Sequence, residues 1–181
     1  MNLHYHTDAG DCFWDDTGYW NGTSTTLSIG SDPDATSKPS HVYFPFASVA
    51  VSSRAVVTSA ILTVNVITSR NGTTCKCKAY CNDIDTSVPP GNRTQGEALV
   101  LTTAYTSKTF ADATGLVTID ITTAVQEVFD RVGWVTGNKL GVILRDDASS
   151  SGRDRLLEAI EGAGTAEAII DIVINSGGQV I

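Results

Sequence analysis

The stretch from Ala55 to Ser69, AVVTSAILTVNVITS, alternates with a period of two. Ile61, Thr63, Asn65 and Ile67 fall on one side, and Leu62, Val64 and Val66 on the other. A helix cannot gather such a set into one stripe, whereas a strand sends successive side chains to opposite faces of a sheet. TTCKCKAYCND repeats the pattern: Cys75, Cys77, Ala79 and Cys81 share one face, Lys76, Lys78 and Tyr80 the other. The turn RNG between the two runs predicts that they are adjacent antiparallel neighbours.

Comparable runs recur along the chain as LHYHTD, TTLSIGSD, HVYFPFASV, LVLTTAYTSKTF, GLVTIDI, NKLGVILRDD, RDRLLEAIEG and EAIIDIVINS. Pro45 places HVYFPFASV at an edge or a bulge, because proline has no N–H for a ladder. AGDCFWDDTGYWNGTS reads as a loop, DPDAT at Asp32–Thr36 as an Asx-type turn, and residues 83–97 as a long irregular connection suited to a crossover between sheets. About ten short strands separated by turns predict an all-β fold, an antiparallel β-sandwich of the jelly-roll kind. Residues 1–174 read as a single domain and 175–181 as a C-terminal tail, a peg or a linker.

One segment breaks the pattern. From Thr123 to Val132 the apolar positions Val125, Val128, Phe129 and Val132 follow helical spacing. Thr123 and Gln126 have the spacing of a capping box, Gly133 suits a helix stop, and Gln126, Glu127, Asp130 and Arg131 form a wet side. A helix this short needs tertiary support. The expectation is one short capping α-helix at about residues 123–132, docked over an open end of the sandwich with Trp134 sealing the junction.

Charge narrows the function. With 12 Lys+Arg against 20 Asp+Glu in 181 residues, the formal net charge is -8 and the basic residues are scattered. Such a surface does not fit nucleic acid or an anionic membrane. No apolar run approaches the ~18 residues of a membrane helix, and no basic-then-apolar leader opens the chain. The chain therefore acts where it is made, or an export signal has been removed. The cysteines read as small core hydrophobes; a disulfide from Cys12 to the strand of Cys75–Cys81 and a metal site are the alternatives.

IDITTAVQEVFDRVGWVTGNKLGVILRDD resembles the signature segment of DNRLRE-type, carbohydrate-binding-module-like β-jelly-roll domains. There a strand ending in Asp-hydrophobic-Thr enters a VQE helix, and an R-x-G-W-x-[S/T]-G-N turn leads to an apolar strand. Here these are Asp120–Thr122, Val125–Glu127 and Arg131–Asn138, with Val132 where proline is frequent. TTLSIG, HVYFPFASV and VVTSAILTVNV resemble the family's earlier strands, although Ala47 replaces the Asp expected after Phe46. Glu161-Gly162 resembles its late Glu-Gly. The resemblance implies a fold without catalytic machinery. Such domains occur on secreted bacterial proteins, on archaeal cell surfaces and in bacteriophage virions, and some bind polysaccharides.

The most site-like stretch is DCFWDDTGYWNGT. Trp14, Tyr19 and Trp20 among Asp15 and Asp16 combine flat apolar faces with hydrogen-bonding acids, as a sugar site needs. They equally fit a protein interface or a plug in one end of the sandwich. Asp8, Asp11, Asp146 and Asp147 are calcium candidates, although no EF-hand spacing is present. His4 and His6 share a strand face without a third ligand, and no nucleophile or phosphate-loop motif occurs. The expected function is a non-catalytic bacteriophage virion protein, a capsid decoration or tail-associated subunit. Its partners would be the major capsid or tail protein and itself, as a homotrimer. The alternative is an extracellular carbohydrate-binding module or cell-surface adhesin.

Overall fold

A computed structural model describes residues 1–32, 38–70, 74–162 and 166–175. In chain order its strands are β1 (Asn2–His6), β2 (Cys12–Asp15), β3 (Trp20–Asn21), β4 (Thr26–Asp32), β5 (Lys38–Phe46), β6 (Val57–Arg70) and β7 (Cys75–Cys81). After helix α1 (Arg93–Glu97) come β8 (Thr106–Phe110) and β9 (Gly115–Asp120). Helix α2 (Thr122–Phe129) then leads to β10 (Leu140–Asp146), β11 (Asp154–Glu158) and β12 (Ile169–Ile174). The RNG turn beyond Arg70, the Asp32–Thr36 turn beyond Asp32 and the tail beyond Asn175 lie outside the described residues.

The fold is all-β and antiparallel, as the alternation predicts. One hydrogen-bonded path, β1-β12-β6-β11-β4-β5-β10-β7-β8, curls into a sandwich. β6 is the spine of one layer. It carries β9 along one flank, and β12 followed by β11 along the other. In the facing layer β10 lies between β5 and β7, and β5–β4 pairing joins the two layers. Inward positions alternate strictly: Ala60, Leu62, Val64 and Val66 from β6 enter the same core as Phe44, Val142, Leu144 and Ala79. Cys75, Cys77 and Cys81 belong to that core and are free thiols, as is Cys12. Burial pushes the Cys75 and Cys12 thiols up to about 12, so they behave as small apolar groups.

Several pairings differ from the sequence reading. β6 and β7 stand in opposite layers, each satisfied by other strands. The segment 83–97 is a connection within one layer, because β7 and β8 pair. It contains α1, so the described chain has two helices. The loop expected at 9–24 holds the β2–β3 hairpin, and β2 pairs along β5. β5 is an interior strand without a register shift against β10. Pro45 survives there because its open flank meets only the segment at Asp8, whose N–H donates to the Pro45 carbonyl at 2.8 Å.

The lid is present, held differently from the expectation. Val125, Val128 and Phe129 are buried with Ala124, while Val132 is 85% exposed because the helix has ended at Phe129. Trp134 takes the seal: its ring centroid lies 4.8 Å from that of Phe129, and its Nε1 donates to the Val51 carbonyl at 2.9 Å. Thr123 makes no cap. Asp120 Oδ1 instead accepts from Thr122 N at 3.0 Å and from its hydroxyl at 2.6 Å. Gln126 is a cross-link, with Oε1 accepting from Val57 N at 2.7 Å and Nε2 donating to the Ala55 carbonyl at 3.1 Å. Glu127 likewise accepts from the backbone N–H groups of Thr103 and Ala104. Gly133 is not a left-handed stop; it leaves room for the Asp85 carboxylate, which an added Cβ would overlap.

Trp134→Ala should cost about 3–5 kcal/mol, the range for emptying an aromatic core site. Val132→Asp should stay within about 0.5 kcal/mol at protein concentrations low enough for the single chain, as an exposed change does. Urea unfolding followed by circular dichroism measures both.

Candidate functional site

The outward face of β5 and β10 is not bare. Tyr43 and Ile143, register partners whose neighbours point into the main core, join Cys12 and Trp14 of β2 in a second buried cluster, with Trp20, Leu99 and Leu101 packed on it. Residues 83–101 strap across this face. α1 forms in the strap because Asn92 Oδ1 accepts from Gln95 N at 3.0 Å while Gln95 Oε1 accepts from Gly91 N at 2.7 Å. That exchange is a variant of the capping box in which Gln95 reaches the N–H before the Asn92 cap. Gly96 lets the helix lie on the Trp14 indole, since a Cβ there would approach Cδ2 to 2.8 Å.

Trp14 is therefore fully buried. Its Nε1 donates to Glu97 Oε1 at 2.6 Å, and Arg145 NH1 donates to Glu97 Oε2 at 3.0 Å. Burial alone would raise the Glu97 carboxyl; the hydrogen bond and charge of Arg145, with the indole N–H, outweigh it and hold the group below its ordinary range. Arg145 also stands 5.7 Å over the Trp14 ring, a cation–π distance. Arg93 donates to the carbonyls of Asp15 and Asp16 at 2.9 and 2.7 Å, tying α1 to the hairpin. Asp15 folds back on its own turn, accepting from the N–H groups of Thr17 and Tyr19. These contacts outweigh burial and lower its carboxyl below the usual value.

Asp16, His41 and Glu97 bring their ligand atoms within 4.8 Å of one another. Their hydrogen bonds argue against a metal centre. His41 Nδ1 accepts from Asp146 N at 3.1 Å, so the neutral ring carries its proton on Nε2, which donates to Asp16 Oδ1 at 2.9 Å. A metal at Nε2 would have to displace that proton while Nδ1 kept its backbone donor. Both Glu97 oxygens are engaged as well. The trio works as a fully bonded cross-link between hairpin, strap and sheet.

The other expected site residues divide. Tyr19 is 47% exposed and packs obliquely on Phe13 at 5.4 Å. Trp20 is half-buried and, with Gly18, Asn92, Arg93, Thr94 and Gln95, lines an open concavity of about 640 Å³. The calcium candidates do not converge. Asp8 N bonds opposite Pro45 and Asp146 N opposite His41, which are about 13 Å apart along an extended strand. Asp147 pairs with Lys78 at 2.9 Å. Asp11 is buried beside Ile160 N. His4 and His6 meet edge to face at 4.9 Å and pair with Asp171 and Glu167.

Comparison with models of known protein families gives no match, and no curated protein matches the chain. Arg93, Glu97, Arg145 and His41, the groups that organise this face, carry no motif in the sequence. One usable signal was there: Asn92 and Gln95 have capping-box spacing, followed by a glycine that flattens the helix.

Asp11 gives this face its pH dependence. Burial above all, with Glu161 and Glu167 adding to it and the Ile160 N–H opposing, raises its carboxyl from 3.8 to about 7. The folded chain thus holds a proton that the unfolded chain has lost. The stabilisation is complete below about pH 4 and disappears as pH rises through about 7. Asp11→Asn keeps an acceptor for Ile160 N. In calcium-free buffer it should flatten this dependence and raise stability at pH 8 by on the order of 1 kcal/mol after solvent screening. Thermal melts at pH 5 and pH 8 give the comparison.

Proposed function

We propose that this chain is a non-catalytic structural subunit of a bacteriophage virion, a capsid decoration or tail-associated protein that works by docking on capsid or tail proteins and on itself. The observation that carries the reading is a group of exposed valines around one end of the sandwich. Val88, Val100, Val132 and Val135 are each more than half exposed. They surround a rigid node. Arg131 reaches Asp83 and Asp85 at 2.8 Å each, Asp83 N donates to the Val100 carbonyl, and Asn138 donates to the Asp85 carbonyl. Apolar side chains grouped on a braced surface are what a protein partner desolvates, whereas singly scattered ones carry no such meaning. The resemblance to jelly-roll domains found in virions supports the same reading.

A second reading rests on the Trp20 concavity. An aromatic bordered by Asn92, Thr94 and Gln95 matches the stacking and hydrogen bonding of a sugar ring, which favours a polysaccharide-binding module. One set of variants separates the two. Under the virion reading, light scattering should detect a homo-oligomer, which Val132→Asp with Val135→Asp turns into a monomer with an unchanged far-ultraviolet circular dichroism spectrum. Capsid and tail genes should flank its gene. A monomeric wild type that binds a glycan array, and loses that binding on Trp20→Ala, would reverse the order.

A further inference from the structure

His4 and His6 differ from His41, whose two ring nitrogens are both engaged. They stand two residues apart on one face of β1, with both side chains more than half exposed. Each Nδ1 lies 2.6 Å from a carboxylate oxygen, His4 from Asp171 Oδ1 and His6 from Glu167 Oε1. A carboxylate only accepts, so both Nδ1 atoms carry a proton and donate it. Neither Nε2 has a hydrogen-bond partner among the described residues. In the neutral ring each of them offers a lone pair. An Nδ1 that donates to a carboxylate is the arrangement that orients metal-ligating histidines and raises their basicity. Here it occurs twice, side by side.

We propose that His4 and His6 bind one divalent transition-metal ion, zinc or copper, through their Nε2 atoms. Asp171 and Glu167 are positioning residues, and water fills the remaining coordination positions. Imidazole nitrogens select such ions over calcium and magnesium, which take oxygen ligands. The ring spacing fits a single ion. At ~2.0 Å from each Nε2 it lies about 3.2 Å from each ring centre, and centroids 4.9 Å apart then subtend about 100° at it. Two bonds at that angle suit the tetrahedral geometry of zinc and the square-planar geometry of copper(II). The location gives the ion a structural task. β1 ends the strand path and pairs with β12 alone among the described strands. His4 and His6 belong to β1, Asp171 to β12 and Glu167 to the segment just before it. A bound ion therefore braces the terminal strand against its neighbour. This site is independent of the docking surface around α2 and of the Trp20 concavity.

The test uses the full chain without a histidine tag, treated with EDTA and exchanged into buffer near neutral pH. Calorimetric titration with zinc chloride should show one saturable site per chain, and magnesium chloride none. Copper(II) at one equivalent should give an electron paramagnetic resonance spectrum split by two imidazole nitrogens. His4→Gln and His6→Gln are exposed changes that should leave the circular dichroism spectrum unaltered, and each should weaken zinc binding at least tenfold. Asp171→Asn combined with Glu167→Gln keeps both imidazoles and should weaken binding about tenfold. A wild-type chain that does not bind zinc overturns the proposal, as does zinc affinity unchanged in any of these variants. A copper spectrum with a single nitrogen marks an adventitious ion only and overturns it too.

Discussion

A sandwich built from amphipathic strands leaves its interior open at the ends, and closure of one end by α2 is the contact on which the rest depends. The helix packs on β6 from one layer and β7 from the other. Its buried Val125, Val128 and Phe129 therefore complete a core that neither layer closes alone. Eight residues would not stay helical in water. The side chains that look solvent-facing hold the helix in place: Gln126 bonds the 55–57 backbone and Glu127 the 103–104 backbone. Trp134 then fills the corner against Phe129. The seal combines dispersion and apolar burial with backbone groups that would otherwise lie unsatisfied near the core.

The same economy governs the outer face of β5 and β10. An exposed sheet face bearing Tyr43, Ile143 and Trp14 would be a large apolar patch, and the strap with α1 covers it. Trp14 is thereby an internal anchor. Its indole N–H and an Arg145 N–H engage the two Glu97 oxygens, and His41 bonds Asp16 and the Asp146 N–H. Polar groups bonded in this way specify one arrangement of strap and hairpin.

Much of the candidate site was illegible in the sequence for a common reason. Trp14 and Trp20 are six residues apart in one aromatic, acidic stretch, yet one is sealed and the other borders a concavity. The difference comes from the strap, which arrives from 83–101 and covers the first. The acids behaved alike. Asp8, Asp11, Asp146 and Asp147 resemble one another in sequence, but only Asp11 is buried, bonded to the distant Ile160 N–H after β11. Val132 continues the helical spacing of Val125, Val128 and Phe129, yet the helix stops before it and leaves it on the surface.

The sequence by itself determined the fold class, the positions of most strands and the alternation of faces along the 55–69 and 75–81 runs. Those follow from a period of two and from β-branched composition, which are local properties that hold wherever the strand lies. It also determined that a helix precedes Trp134 and that the indole is a seal. Only the tertiary structure decided which strands pair, that β6 and β7 part into opposite layers despite the turn signal between them, and which aromatics and acids meet. Pairing is chosen by the summed burial and hydrogen bonding of many distant segments, and differences of that kind leave no imprint on a short window of residues.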